Sequence, residues 1–232
     1  LLARLERRLE VLTGGARDLP ERHQALRRTI TWSYDLLTSA EQRLFRRLAV
    51  FVGGCTLEAV EAVCNTREDL GMDVLQGIAS LVDNSLLVQP VSEDATPRFF
   101  MLETFREYAR DKLLQSGEAD ETARSHAAYM LVLAEEAPVT LNPPEREPWL
   151  RTCDAEHDNI RAAFHYLISR GHVERALRLG AALFRFWEQR ELVTEGRETL
   201  ARVLAMPGAE PSTPLRARTL YGASALADVQ GD

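Results

Sequence analysis

The sequence predicts a mainly α-helical protein, in which a three-helix unit with a small β-hairpin is followed by a stacked array of helices. Apolar residues recur every three or four positions through most of the chain, which is the spacing of one helix face. One stretch, residues 86–101, breaks that period and carries short apolar runs around two prolines. The composition, 45% hydrophobic and 27% charged over 232 residues, is typical of a globular chain and excludes wholesale disorder.

The first 37 residues predict two helices. Leucines at helical spacing occupy residues 1–12, and Gly14-Gly15 follows directly as a stop signal. A second helix is predicted after Pro20 and ends near Leu37. Because the sequence does not begin with Met, we expect it to be a segment of a longer protein.

Three short helices with their own N-caps are predicted next. Thr38 and Glu41 form the T-x-x-E pattern of a capping box, and an apolar stripe follows as far as Gly53. Thr56 and Asp73 have side chains that can cap the second and third helices.

A hairpin and a fourth helix complete this unit. The apolar runs 86–88 and 98–101 flank a polar stretch and predict two short paired strands. A helix over 103–115 follows, and Gly117 suits its C-terminal stop. Three helices followed by a two-stranded wing is the order of a winged-helix domain, which we place at residues 38–117.

From about residue 120 onward the pattern is helical throughout. Small residues recur within the apolar stripes, so neighbouring helices can approach closely. Turn signals at 170–172 and a helix start at Thr213-Pro214 suggest an array with about 20 residues per helix. We assign residues 118–232 to this array. Because a repeat needs a neighbour to cover its exposed face, we expect the array to continue beyond this sequence.

The composition disfavours several classes of protein. Cys55, Cys64 and Cys153 form no C-x-x-C pair, which argues against a disulfide framework and a zinc ribbon. No run approaches the roughly 18 apolar residues of a membrane span, and the N-terminus lacks the layout of a signal peptide. We therefore expect a cytoplasmic protein that makes no membrane contact. No nucleophile and base stand in a recognisable catalytic context, so no catalytic residue is predicted.

The charge distribution argues against DNA binding by the winged helix. Residues 1–50 contain ten Arg against six acidic residues, whereas the remainder of the chain is strongly acidic. No Lys or Arg lies between Arg67 and Arg98, an interval that spans the predicted third helix and most of the wing. Affinity for DNA depends on Lys and Arg that neutralise phosphates. We therefore expect no salt-dependent binding to duplex DNA.

Four ordered motifs resemble those of a known family. They comprise Leu19–His23 with Trp32–Leu37, then Leu81–Leu87, Met101–Ala109 and Glu156–Ala163. In this order they resemble the end of the helical domain, the winged helix and the first helical repeats of STAND ATPases. These are signal-transducing NTPases with an NB-ARC module, and they include bacterial transcriptional regulators. The resemblance covers nearly the whole chain.

The resemblance implies that the catalytic part lies outside this sequence. In such families the NTPase precedes this region, and tetratricopeptide-like repeats that bind an inducer follow it. This sequence contains no G-x-x-x-x-G-K-[ST] motif. The chain is therefore expected to be no enzyme and to carry no cofactor, with ATP or ADP bound by the parent protein. Residues 1–37 would be the remnant of the helical domain after the NTPase, which would be a partner in cis.

Two groups of residues are candidates for contact with that NTPase or its nucleotide. By resemblance, Met101, Leu102 and Glu103 occupy the M-H-D positions, where relatives place a His near bound ADP. Leu102 cannot donate a hydrogen bond to phosphate, which puts this contact in doubt. The alternative is that backbone groups or Arg106 substitute for the missing His. Arg22 and His23 could face the NTPase, and the alternative is that they belong to a solvated helix face.

The helical array offers one candidate partner surface and one rejected metal site. Tyr166 and Phe186 fall outside the apolar stripes, so we expect them to mark an exposed contact surface. His157, Asp158 and His165 do not fit a metal site on one helix, because eight positions separate the two histidines. No metal is predicted.

These observations predict a non-catalytic regulatory and sensing segment of a STAND-type regulator. It would couple the binding of an inducer or partner on the helical repeats to the state of the absent nucleotide-binding domain. One alternative is a stand-alone helical adaptor that binds a protein partner. A DNA-binding winged helix is a third candidate, which the charge distribution disfavours.

Overall fold

The computed structural model describes residues 19–90, 96–137, 143–210 and 212–230, and within these ranges it describes side chains from Arg27 onward except those of residues 143–145 and 230. The sequence prediction for residues 1–18 lies outside these ranges, as do the side chains of Arg22 and His23. Eleven α-helices occupy most of the described residues, and none of them is long and apolar enough to cross a membrane.

The helices are numbered here in chain order. They are α1 (Leu19–Asp35), α2 (Ser39–Leu48), α3 (Leu57–Cys64), α4 (Val74–Asp83), α5 (Glu103–Ser116), α6 (Ala119–Glu135), α7 (Pro143–Ala155), α8 (His157–Ser169), α9 (Val173–Gln189), α10 (Val193–Leu204) and α11 (Pro214–Gln230).

The predicted capping signals are confirmed. At the start of α2, the Thr38 hydroxyl accepts a hydrogen bond from the Glu41 amide, and the Glu41 carboxylate accepts one from the Thr38 amide at 2.7 Å. Thr56 and Asp73 accept from the third residue of α3 and α4 in the same way. These side chains satisfy amides that have no partner within the helix, and they therefore set where each helix begins.

The predicted hairpin is present as single β-bridges among the described residues. Val88 and Phe100 exchange two backbone hydrogen bonds of 2.8 Å in antiparallel orientation. The neighbouring residue, Phe99, pairs with Cys55 on the opposite edge of this segment. Cys55 lies just before α3, and the sequence did not predict it to be a strand residue. The segment that contains Phe99 and Phe100 therefore lies between two backbone partners.

The buried apolar residues form two clusters. The first contains residues between 30 and 109 and includes Phe45, Leu81 and Tyr108, from α2, α4 and α5. The second contains residues between 127 and 226 and fills the space within the array. Tyr129 of α6 packs against both clusters. The described chain is mainly helical, with a winged-helix arrangement followed by a helical array, as the sequence predicted.

The helices of the array approach one another closely, as the small residues in the sequence indicated. α9 packs against α6, α8, α10 and α11. A β-carbon on Gly196 of α10 would lie 2.7 Å from Leu226 and 3.0 Å from Trp187, so a larger residue there would require these side chains to shift.

Candidate interaction surfaces and their junction

Arg98 joins the base of the wing to the helical array. We call the contact formed by Arg98, Glu156 and Asn159 the junction. Its guanidinium lies 2.5 Å from the Glu156 carboxylate, and the Glu156 side chain is only 3% exposed. The same guanidinium donates to the backbone carbonyls of Gly53, Gly54 and Ala155 at 3.1–3.2 Å. The charge on Glu156 is therefore buried but paired, and the Arg98 side chain connects three segments that are distant in sequence.

Asn159, at the start of α8, makes the second half of this junction. Its side-chain oxygen accepts from the Val52 amide at 2.8 Å, and its amide nitrogen donates to the Gly54 carbonyl at 2.9 Å and to Glu156 at 2.6 Å. Asn159 is fully buried. Its hydrogen bonds satisfy backbone groups of the winged helix, one of them the buried Gly54 carbonyl, so they fix how α8 sits against it.

His126 of α6 lies beside the same junction. Its ring packs edge-on against Phe51 with centroids 5.3 Å apart, and its Nε2 atom is buried without a hydrogen-bond partner among the described residues. Burial lowers the pKa of His126 to about 4, although the nearby Asn159 side chain acts in the opposite direction. The imidazole is therefore neutral near pH 7.

The Gly53-Gly54 pair allows these contacts to form. Gly54 has a φ of +78°, and a β-carbon there would lie 2.7 Å from the Phe100 ring. A side chain at Gly53 would press against Asp158 of α8. The turn after α2 therefore approaches both the wing and the array more closely than any larger residue would permit.

A second group of charges connects α2 to the segment before α6. Arg47 pairs with Asp69 at 2.6 Å and with Glu118 at 2.9 Å, while Arg46 pairs with Glu118 at 2.6 Å. The hydrogen bond from Arg47 lowers the pKa of Asp69 to about 2. Two arginines of the basic first fifty residues therefore have acidic partners within the fold.

A groove lies on the side of the winged helix formed by α3, α4 and the wing base, and we call it the outer groove. It has a volume of about 520 Å³. Leu75, Ala79 and Val82 of α4 form its apolar wall, and Glu58 and Glu61 of α3 line the opposite side. Leu75 is 55% exposed although it is a large apolar residue.

A second groove, of about 880 Å³, lies in the array among α6, α9 and α11. Its lining includes Arg178, Arg185 and Arg218 beside the aromatic residues Phe184 and Tyr221. Arg178 and Arg185 also form ion pairs with neighbouring glutamates. The array groove thus has the opposite charge to the outer groove.

The candidate nucleotide contacts lie at the start of α5. Leu102 is the N-cap residue, it makes no capping hydrogen bond through its side chain, and it is 40% exposed. Glu103 forms an ion pair with Arg106 at 2.6 Å. The guanidinium of Arg106, which could substitute for the missing His, therefore already has an acidic partner. The Met101 side chain is half-buried against the winged-helix core.

The prediction that Tyr166 and Phe186 are exposed in the array is wrong. Phe186 is completely buried and Tyr166 is 9% exposed. Phe186 faces away from the apolar stripe of α9 that the sequence defined, but the helices around α9 cover that side as well. These residues are therefore part of the core, and the exposure on which the partner-surface hypothesis depended is absent.

No group of three metal-ligating side chains occurs among the described residues. His157 instead contacts Glu195 of α10 at 2.9 Å.

Sequence reasoning missed the junction, although part of the signal was present. Glu156 and Asn159 lie inside one of the four motifs, and Gly53-Gly54 lies just after α2. Arg98 was noted only as the end of an interval without basic residues. Two polar residues three apart, next to a helical apolar stripe, were the available indication of a buried polar contact.

Comparison with known families bears on the winged helix. Residues 37–114 match the family described as "Winged helix-turn-helix domain". That range covers α2–α4, the bridged segments and most of α5, so this part of the chain is a winged helix-turn-helix domain. No solved structure matches the chain.

Curated relatives come from mycobacteria. Proteins of Mycobacterium tuberculosis and Mycobacterium bovis named "Putative HTH-type transcriptional regulator" are 40% identical over 216 residues, which is 90% of this chain and 24% of each relative. A second Mycobacterium tuberculosis protein, named "Uncharacterized protein", is 37% identical over 131 residues, or 56% of this chain and 33% of that protein.

The chain therefore spans about a quarter of the length of the first relatives that it matches. The name of these relatives describes a transcriptional regulator.

Proposed function

We propose that this chain is a non-catalytic regulatory segment of a longer signal-transduction regulator, in which binding to the helical array sets the position of the winged helix. The junction of Arg98 with the buried residues Glu156 and Asn159 supports this proposal most directly. Polar groups buried at an interface lose their partners when the two sides shift, so intermediate positions are unfavourable. An arrangement with few stable positions can transmit a switch.

The nucleotide part of the proposal rests on the resemblance to STAND ATPases. In the parent protein, a preceding NTPase would bind ATP or ADP, and the winged helix would pack on it in the resting state. Met101, Leu102 and Glu103 would then face the nucleotide, as would Arg22 and His23 if they belong to that contact. Because Leu102 has no hydrogen-bond donor, we expect the resting state to depend less on a contact with phosphate than in relatives with His.

The array would provide the sensing surface. Its groove among α6, α9 and α11 has an aromatic and cationic lining, which suits an anionic or aromatic inducer. We place the three functional parts at residues 1–37, 38–117 and 118–232, and the two separate apolar clusters support the division at residue 117. The regulator would act in the cytoplasm.

The coupling can be tested by amide hydrogen exchange on the 232-residue chain. Asn159→Ala alters only α8, yet it should accelerate exchange at Cys55, Phe99 and Phe100, because the turn that holds the wing loses its anchor. His165→Ala, at an exposed position on the same helix, is the matched control. Unchanged protection in the wing would show that the array and the winged helix move independently, and the proposal would then fail.

DNA binding is the second candidate function, and the winged helix-turn-helix match and the names of the relatives favour it. It can be tested by fluorescence anisotropy with random duplex DNA from about 50 to 200 mM salt, the range over which phosphate contacts weaken steeply. Because no basic residue lies between Arg67 and Arg98, we expect no measurable binding. An affinity that falls with salt as expected for several phosphate contacts would establish DNA binding instead.

A further inference from the structure

The solvent side of α4 is apolar where a DNA-reading helix would be polar. Leu75, Ala79 and Val82 follow one another at spacings of four and three residues, so they lie in one row along the helix. The row covers about 10 Å, or two turns, at 1.5 Å per residue. Ile78 and Phe99 lie buried behind it and close the floor of the outer groove.

The rim of the outer groove is acidic. Glu58 and Glu61 of α3 and Asp83 at the end of α4 are all exposed, and no Lys or Arg is among the residues that line the groove. None of these three carboxylates has an ion-pair partner among the described residues. Three free carboxylates beside an apolar row attract cationic groups and repel phosphate.

From this combination we infer that the outer groove is a protein docking site for an amphipathic helix whose apolar stripe is flanked by Lys or Arg. An apolar stripe of Leu-type side chains would cover Leu75, Ala79 and Val82, as in other helix-in-groove complexes. Lys or Arg on the flanks would reach Glu58, Glu61 and Asp83. This site goes beyond the proposed sensing role and does not depend on it.

The same chemistry distinguishes this occupant from the alternatives. A DNA backbone would bring phosphates against three carboxylates, with no cation to offset the repulsion. A helix with an acidic flank would be repelled for the same reason. Because the carboxylates are exposed, their attraction for a basic helix falls as salt rises above about 0.15 M, where the Debye length is about 8 Å.

The probe for this site is a labelled 14-residue amphipathic peptide of Leu and Lys, whose binding to the 232-residue chain is followed by fluorescence anisotropy. A peptide of the same pattern with Glu in place of Lys tests charge, and a scrambled Leu–Lys peptide without an apolar face tests the stripe. We expect binding by the first peptide only, with an affinity that decreases at higher salt.

Two variants test the groove independently. Leu75→Asp removes the largest side chain of the apolar row, and Glu58→Lys combined with Glu61→Lys reverses the charge of the rim; each should weaken peptide binding at least about tenfold. All three positions are exposed or lie on the groove wall, so the fold should persist, and circular dichroism checks this. The matched controls are Leu114→Asp, at another exposed leucine, and Glu198→Lys with Asp228→Lys on the array. These should leave binding unchanged.

The inference is overturned if the groove variants bind the Leu–Lys peptide as tightly as the controls do, or if the Leu–Glu peptide binds equally well. The outer groove is instead a DNA-binding surface if duplex DNA binds the chain and Leu75→Asp abolishes that binding. It is a self-association surface if the chain forms oligomers, measured by light scattering, that Leu75→Asp dissociates.

Discussion

The two sides of the winged helix differ in how their polar and apolar groups are used. On the side that faces the array, Glu156 and Asn159 are buried and Arg98 is partly buried, and each makes several hydrogen bonds. On the side of the outer groove, Leu75 is exposed and the nearby carboxylates have no partner among the described residues. One side is thus already satisfied within this chain, while the other leaves apolar surface uncovered.

This difference indicates which side is structural and which is available for binding. A buried polar contact stabilises one orientation, because any shift leaves a charge or an amide without a partner. An exposed apolar row has no such constraint and gains free energy only when another surface covers it. Mutations on the array side should therefore affect folding, whereas mutations on the groove side should affect binding.

The largest loss of folding stability is expected from Arg98→Met. Loss of the guanidinium leaves Glu156 buried without its cation, which should reduce the free energy of unfolding by about 3 to 5 kcal/mol. Urea denaturation of the chain measures this, with Arg28→Met at an exposed position as the control. A loss below about 1 kcal/mol, the value typical of exposed ion pairs, would show that the junction is not structurally important.

A slightly smaller loss of folding stability is expected from the protonation of His126. Because burial lowers its pKa from 6.5 to about 4, the unfolded chain takes up the proton at a higher pH than the folded chain. Stability that is present above pH 6.5 should be lost progressively as the pH falls to 4, by about 3 kcal/mol.

His126→Phe keeps a ring against Phe51 and should flatten this part of the pH profile of the unfolding free energy. The control is His165→Phe, at an exposed position, which should retain the slope. If both variants retain it, other groups titrate in that pH range.

An intermediate effect is expected from Gly54→Ala. The φ of +78° and the 2.7 Å approach to Phe100 require glycine, so the free energy of unfolding should fall by about 2 kcal/mol. Gly171→Ala is the control, because its φ is also positive but nothing lies within 4 Å of its added β-carbon. Equal losses in both variants would attribute the effect to backbone conformation and not to the wing contact.

The smallest effect on stability is expected from Leu75→Asp, on the groove side. Because Leu75 is more than half exposed, the unfolding free energy should change by less than about 0.5 kcal/mol. A loss above about 2 kcal/mol would place Leu75 in the folding core and would remove the contrast between the two sides.

The local parts of the fold could be predicted, because their causes lie within a few residues. The caps at Thr38, Thr56 and Asp73 each bind an amide three positions away, and Gly117 ends α5 with a φ of +77°. The Val88–Phe100 pairing followed from apolar runs around a polar loop. In contrast, the Cys55–Phe99 bridge joins residues 44 positions apart, and no local pattern indicates it.

The candidate sites were harder to predict, because burial is decided by neighbours. Phe186 was assigned to an exposed surface on the assumption that α9 has one apolar stripe. Four helices cover α9, so both its predicted stripe and the side with Phe186 are buried. The absence of basic residues around α4 was visible in the sequence. The exposed apolar row beside free carboxylates was not, because it depends on which face of α4 the core covers.

By itself, the sequence determined the helical character of this chain, the caps and stops of its helices, the order of helices and wing, and the distribution of charge. These properties depend on spacing and composition, which act over one or two helical turns. Only the tertiary structure decided that Arg98, Glu156 and Asn159 meet, that Phe186 is core and that Leu75 is surface. Each of these depends on contacts between segments far apart in the chain, and such contacts form only when the helices have packed.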